Sequence, residues 1–216
     1  MRVEDKEKIV LIGGGDFAKK VFYLLETQDR YEIVGYTDIE DKGELLSIPY
    51  LGKDTEFWSK EKAFPAENII LCIAGNIKLL EIKEKIIRNY KSLGVKFPKI
   101  ISKNCFVHES ASLEEGVIVF DQVYVDFDSY IGAFSVLNLK CTVGHDAKIG
   151  TNTLISPHVL IGGGADIGNN CFVGSNGTIN PYRKICNNTV IGSNSVATKD
   201  IDKSGIYVGV PAKFYK

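Results

Sequence analysis

The chain has 216 residues, enough for one medium domain or two small ones with a real core. Its 26 Lys and Arg against 27 Asp and Glu leave a net charge of −1, which excludes a general attraction to nucleic acid or to acidic membranes. No stretch approaches the roughly 18 apolar residues of a membrane span, so a cytoplasmic protein with neither nucleic acid nor membrane as partner is expected.

Residues 1–98 mix helix and strand. Lys8 to Ile12 is a nearly all-apolar run that reads as a buried parallel strand; a glycine turn follows, and Phe17, Val21, Leu24 and Leu25 then recur at helical spacing. A second strand is predicted at Tyr31–Thr37 and a third within "NIILCIAG". A helix is predicted from Ile77 to Leu93, with its lysines on the outer face. Together these make a small Rossmann-like α/β unit with a parallel sheet. The turn "GGGDFA", formed by Gly13, Gly14 and Gly15 and ending at Ala18, fits G-x-G-x-x-G/A, and Asp38 ends the next strand. Amides at a helix start can hold a diphosphate, and an acid at that position can bind a ribose hydroxyl. A tight turn without a ligand is the plain alternative. A dehydrogenase NAD site is the rival functional one, disfavoured because the unit has too few strands for both halves of a dinucleotide fold.

From residue 99 the rules change. An aliphatic residue recurs every six positions from Ile101 to Ile191, and all sixteen of these positions hold Ile, Val or Leu. The residue two before each is usually small, as in Cys105, Ala111, Ser129, Ser135, Cys141, Ala147 and Thr153. Side chains alternate along a strand, so the small residue and the aliphatic share the inner side while the next three residues turn the chain. One short strand and one turn, repeated without helices, make a β-solenoid. The five cysteines contain no CxxC pair, and several stand where other hexads carry Ala, Ser or Val; they read as small buried residues, with no metal site. Arg183 occupies an inward slot, which suggests a local bulge at "NPYRK".

The outward residues fall into three columns when read every eighteen positions, which sets three hexads per coil. The apolar column Ile118, Val136, Leu154, Phe172 and Val190 is expected to be a subunit interface.

The hexad phase puts His145 and Asp146, in "VGHDAKIG", in a turn outside the core. A histidine titrates near neutrality, and a neighbouring carboxylate can fix its tautomer, so the pair could act as a general base and its orienter. It could equally be an exposed polar turn. Of the other histidines, His108 reads as a solvent-facing turn residue and His158, in "ISPHV", as the competitor, in a different column and with no acid after it.

The hexads, the "VGHDAKIG" turn and the ending "VATKDIDKSGIYVGVPAK" together resemble the left-handed β-helix acyltransferases. With "IGGGDFAKK" in front, the chain resembles the nucleotide-sugar acetyltransferases of the bacillosamine and perosamine N-acetyltransferase type and the related sialic-acid O-acetyltransferases. The resemblance implies a left-handed coil, a homotrimer, and acetyl-CoA as co-substrate without a metal. It implies acetyl transfer to the amino group of a nucleotide-linked 4-amino-4,6-dideoxy sugar, with His145 as base and Asp146 raising its basicity. It puts Gly13, Gly14, Gly15, Asp38, Gly52 and Asn76 at the substrate and Gly163, Ser175, Ser193 and Lys213 at the coenzyme. Lys199 is a further phosphate partner in the same reading. O-acetylation of a sugar or sialic acid, or a non-catalytic nucleotide-sugar scaffold, are the alternatives. The base of the nucleotide and the sugar's configuration stay open.

Overall fold

The computed structural model describes residues 6–43, 47–59, 63–73 and 77–216. Contacts divide the chain into two units, the first reaching Pro98 and the second running from Lys99 to Lys216.

The first unit is a four-stranded parallel sheet with helices. Its elements are β1 (Glu7–Ile12), α1 (Asp16–Glu26), β2 (Tyr31–Thr37), β3 (Tyr50–Gly52), α2 (Asp54–Trp58), β4 (Asn68–Leu71) and α3 (Ile77–Lys91). The strand order is β3-β2-β1-β4, and every pairing is parallel. β1 and β4 are apolar runs whose Ile9, Val10, Leu11, Ile12 and Ile69 are fully buried, as strands covered on both faces should be. The chain leaves β1 to one side for β2 and returns to its other side for β4, so the end of β1 is the point where the strand order reverses. Ligands of open α/β sheets bind outside the carboxyl ends of the strands at such a point.

Helix α3 departs from the outer-lysine expectation. Ile86 and Tyr90 are buried, and Lys83, one turn earlier on the same face, is buried with them at 3% exposure, while Ile82 is exposed. Burial lowers the Lys83 ammonium pKa to about 7, with the Cys72 thiol beside it acting the other way. A group whose folded pKa lies below its unfolded value of about 10.4 binds fewer protons folded than unfolded across that interval, so stability rises with pH there. Lys83→Met should therefore raise Tm at pH 6, on the order of 5 °C, and flatten the rise between about pH 7 and 10 in thermal melts.

The second unit is a left-handed parallel β-helix. Its two-residue strands stack in three faces. The first runs from Ile100–Ile101 to Thr189–Ile191, the second from Phe106–Val107 to Val196–Ala197, and the third from Ser112–Leu113 to Lys184–Ile185. Partners lie eighteen residues apart, as in Val136↔Leu154, Thr142↔Leu160 and Lys148↔Asp166, which is the three-hexad coil. The aliphatics and small residues form one core through the barrel, with Leu137, Val143, Ala147, Ile149, Ile155 and Ile161 all at 0% exposure. The first face continues into Gly205–Val208 and Lys213–Phe214, an antiparallel hairpin that ends the chain.

The corners from the third hexad onward share one backbone conformation. From Gly116 to Asn194 the residue three after each core aliphatic has φ between 54° and 67°, the left-handed region. β-Branched residues fit there poorly and Gly, Asn and Asp well, and the fourteen positions hold five Asn, two Asp, two Gly and no β-branched residue. The asparagines also bond along the stack, Asn152 Nδ2 donating to Asn170 Oδ1 at 2.9 Å.

Two expectations need correction. The strand Lys184–Ile185 stays in register with Asp166–Ile167, so there is no bulge at "NPYRK". The third face ends at that strand, and the Arg183 guanidinium turns out of the core to Asp200 Oδ1, 3.3 Å away. The column Ile118, Val136, Leu154, Phe172 and Val190 is not a free apolar stripe. The first three are 2%, 1% and 7% exposed within the single chain, and Phe172 and Val190 are half-buried. Phe120 and Phe134, both buried, border that face at its two corners, the Phe134 ring lying where a Cβ at Gly116 would be. The second face, by contrast, leaves large apolar residues exposed: Phe106, Tyr124 and Leu160, at 48%, 43% and 47%.

Candidate active site

The carboxyl ends of the four strands gather the glycine turn and its surroundings. Gly13 has φ 101°, which a side chain would resist, and its amide donates to the Thr37 carbonyl at 2.8 Å. Gly14 lies against Tyr36, whose ring would be 2.6 Å from an added Cβ. Its amide donates to Asp38 Oδ2 at 2.8 Å. The other Asp38 oxygen accepts the Ile39 amide at 2.6 Å, so this acid first of all closes the turn. An ionised carboxylate has about four acceptor sites, and the two not used here can take a ligand hydroxyl. Gly15 is the N-cap of α1, which no side chain caps, so the first amides of the helix point past the strand ends. Gly52 ends β3 and pairs with Thr37, next to Asp38. Asn76 lies outside the described residues.

Beneath this turn is a buried polar cluster that has no local sequence signal. Asp54, the first residue of α2, accepts hydrogen bonds from Thr37 Oγ1 and the Tyr90 hydroxyl, both at 2.6 Å. Desolvation raises the Asp54 pKa against these two bonds, which lower it. The cluster ties the end of β2 to α2 and α3. Tyr36 braces the following loop, its hydroxyl accepting the Lys42 amide at 3.0 Å and donating to the Gly43 carbonyl at 2.9 Å.

On the solenoid, His145 and Asp146 form the corner between the second and third faces. His145 Nδ1 lies 2.8 Å from Asp146 Oδ2. Asp146 takes the left-handed corner position, φ 55°, and its amide donates to the Phe127 carbonyl at 3.1 Å in the coil before. The Phe127 ring stacks on the imidazole, centroids 5.2 Å apart and planes 12° apart. In the coil after, the Gly164 amide donates to the His145 carbonyl at 2.8 Å, and Gly163 lies over the ring: a Cβ there would be 2.6 Å from Nε2. Nδ1 bonded to the carboxylate leaves Nε2 as the acceptor nitrogen. His145 is 41% exposed in its side chain, so Nε2 is open to a reactant.

The other histidines differ. His158 is exposed at a left-handed corner, φ 61°. His108 bonds Ser110 Oγ at 3.0 Å in an exposed contact and also meets Phe127 edge-on at 6.0 Å, which adds it to the aromatic row leading to His145. Among the proposed coenzyme contacts, only Gly163 stands beside His145. Ser175 and Ser193 sit one above the other at the corner between the first and second faces, and the Asn194 amide bonds the Ser175 carbonyl at 2.9 Å. That corner is the opposite edge of the second face from His145. Lys199 and Lys213 are exposed near the chain's end, Lys213 in the terminal hairpin.

Cys105, Cys141 and Cys171 occupy inner slots of the solenoid. Burial pushes the Cys141 thiol up to about 12 and Cys171 to about 11, the reverse of an activated nucleophile. The described residues hold no cluster of three or more His, Cys, Asp or Glu able to bind a metal, and no helix among them is long and apolar enough to cross a membrane.

Residues 8–86 match the PglD N-terminal domain, and residues 146–181 match the bacterial transferase hexapeptide, six repeats. No curated protein sequence matches. Among solved structures, a histidine mutant of perosamine N-acetyltransferase from Caulobacter crescentus, in complex with CoA and GDP-perosamine, is similar with 25% identity and a TM-score of 0.86 over 97% of both chains. PerB from the same organism, also with CoA and GDP-perosamine, has 26% identity and a TM-score of 0.84, again over 97% of both. The acetyltransferase domain of PglB from Neisseria gonorrhoeae FA1090 shares the fold, with 24% identity and a TM-score of 0.88 over 97% of this chain and 100% of that one. The chain thus carries a PglD-type N-terminal domain and bacterial transferase hexapeptide repeats, and it is an acyltransferase similar over 97% of its length to perosamine N-acetyltransferase.

Proposed function

We propose that this enzyme transfers acetyl from acetyl-CoA to the amino group of a nucleotide-linked 4-amino-4,6-dideoxy sugar, with His145 as general base and Asp146 as its orienter. The observation that carries the reading is the His145 corner: Nδ1 at 2.8 Å from the Asp146 carboxylate, with Nε2 open beneath a glycine. The amine nitrogen attacks the thioester carbonyl as Nε2 takes its proton. The tetrahedral oxyanion then collapses, the C–S bond breaks, and the imidazolium returns the proton to the departing CoA sulfur. Asp146 favours the imidazolium formed between these steps.

In this reading Gly13, Gly14, Gly15, Asp38 and Gly52, with Asn76, receive the nucleotide sugar. Support comes from their place at the reversal of strand order and from the GDP-perosamine of the similar structures. Gly163 gives the thioester close access, and Ser175, Ser193 and Lys213 contact the rest of the coenzyme. No acyl-enzyme is formed. The enzyme is cytoplasmic and a homotrimer, and the exposed Phe106, Tyr124 and Leu160 of the second face are the apolar surface such an assembly would cover.

Paired nucleotide sugars that differ only in an amino or a hydroxyl group at C4 test the chemistry. CoA release with the amino member of a UDP, GDP or dTDP pair and not with its hydroxyl counterpart is expected. Release with the hydroxyl member, or with sialic acid, would make it an O-acetyltransferase.

A further inference from the structure

We propose that Phe127 is a positioning residue for the reaction. It holds the His145 imidazole in the plane that presents Nε2 to the amine, and its ring face stabilises the imidazolium formed as the proton is taken. The inference rests on His145 being the base.

Phe127 is one coil before His145, eighteen residues back, at the same corner position. That position holds Lys103, Glu109, Glu115 and Asp121 in the preceding hexads and Ala133 in the next. Of the sixteen such positions only Phe127 and Leu139 hold a large apolar side chain, and at 42% exposure the Phe127 ring adds little to the core. Its geometry is nonetheless fixed. The Phe127 amide bonds its neighbour Asp126 Oδ1 at 2.9 Å, and the Phe127 carbonyl accepts the Asp146 amide, which locks the two corners in register. The His108 ring meets it edge-on at 6.0 Å. The result is the near-parallel stack on His145, 12° between planes.

Three neighbours then leave the imidazole little freedom. Asp146 fixes rotation through Nδ1, Gly163 covers one face, and Phe127 covers the other. A neutral imidazole gains only packing from an aromatic face, whereas an imidazolium is attracted to the negative charge of the π system. The contact is therefore worth more once the proton has been taken than before, which is the condition for an interaction that speeds the chemical step. Leucine at this position keeps most of the bulk and loses the π face; tyrosine keeps both.

Phe127→Leu, Phe127→Tyr and His145→Ala are compared with wild type in CoA-release kinetics. The substrates are acetyl-CoA and the amino-sugar nucleotide that wild type accepts. Phe127→Leu should lower kcat about tenfold with both KM values within about twofold, and Phe127→Tyr should restore kcat to within about twofold. Imidazole ring-proton NMR gives a readout independent of activity. The His145 ring protons, shifted upfield by the stacked ring in wild type and in Phe127→Tyr, should move downfield in Phe127→Leu. An unchanged kcat in Phe127→Leu beside an inactive His145→Ala overturns the role of Phe127 and leaves the base in place. Full activity in His145→Ala overturns both.

Discussion

His145→Ala should lower kcat by about 10²–10⁴-fold while both KM values change little, because a positioned general base contributes on that scale and acts mainly in the transition state. The substitution leaves the fold alone. The corner is held by backbone bonds, from the Asp146 amide to the Phe127 carbonyl and from the Gly164 amide to the His145 carbonyl, and the histidine side chain takes no part in them. Asp146→Asn is the milder companion. An amide can still bond Nδ1 but carries no charge to favour the imidazolium, so kcat should fall by less than in His145→Ala. Steady-state kinetics on the three proteins, with circular dichroism to confirm the fold, read both effects.

Gly163→Ala should cost nearly as much for a steric reason. An added Cβ would stand 2.6 Å from His145 Nε2, 2.9 Å from Cε1 and 3.0 Å from Cδ2, closer than real Cβ contacts come. The ring cannot simply yield, since Phe127 covers its other face and Asp146 holds Nδ1. Moving the base by even about 1 Å costs on the order of 10²-fold, so kcat should fall to that extent. Gly163 does not have a positive φ, so alanine meets no backbone strain, and Tm should stay close to wild type. Gly14→Ala makes the contrasting case. There the Cβ would strike the Tyr36 ring at 2.6 Å in the first unit, and the rise should appear in KM for the nucleotide sugar.

The solenoid was legible because a parallel coil with in-register strands turns a sequence column into a spatial column. Val143, Ala147 and Ile149 could be placed in the core, and His145 outside it, by counting in sixes. Counting in eighteens set Gly163 over His145 and could also have set Phe127 beneath it. The stack went unread because position alone does not say how two rings tilt. The left-handed corner was equally present, in the Asn, Asp and Gly that hold nine of the fourteen positions three residues after a core aliphatic. By contrast, spacing cannot reveal which apolar face a chain covers by itself. Ile118, Val136 and Leu154 looked like an interface and are buried at home, while the second face keeps Phe106, Tyr124 and Leu160 in solvent.

In the first unit the longer elements followed from apolar runs and helical spacing, and β2 has its predicted bounds, Tyr31–Thr37. The three-residue β3 and the five-residue α2 are too short to show a period, and they went unpredicted. The Asp54, Thr37 and Tyr90 cluster joins residues 17 and 36 positions from Asp54, a distance over which no motif speaks. Lys83 defeats the rule that lysines face outward: the register of α3 is set by Ile86 and Tyr90, and the lysine is carried inward with them.

Acetyl transfer by wild type and by His145→Asn, an uncharged and nearly isosteric change, tests the central claim most directly. Acetyl-CoA is supplied with GDP-, UDP- and dTDP-linked 4-amino-4,6-dideoxy sugars, and the N-acetylated product is followed by mass spectrometry. The account predicts product from wild type with at least one of these nucleotides and a loss of about 10²-fold or more in His145→Asn. Equal product from the two proteins, or acetylation of a hydroxyl with the amine left free, would contradict it.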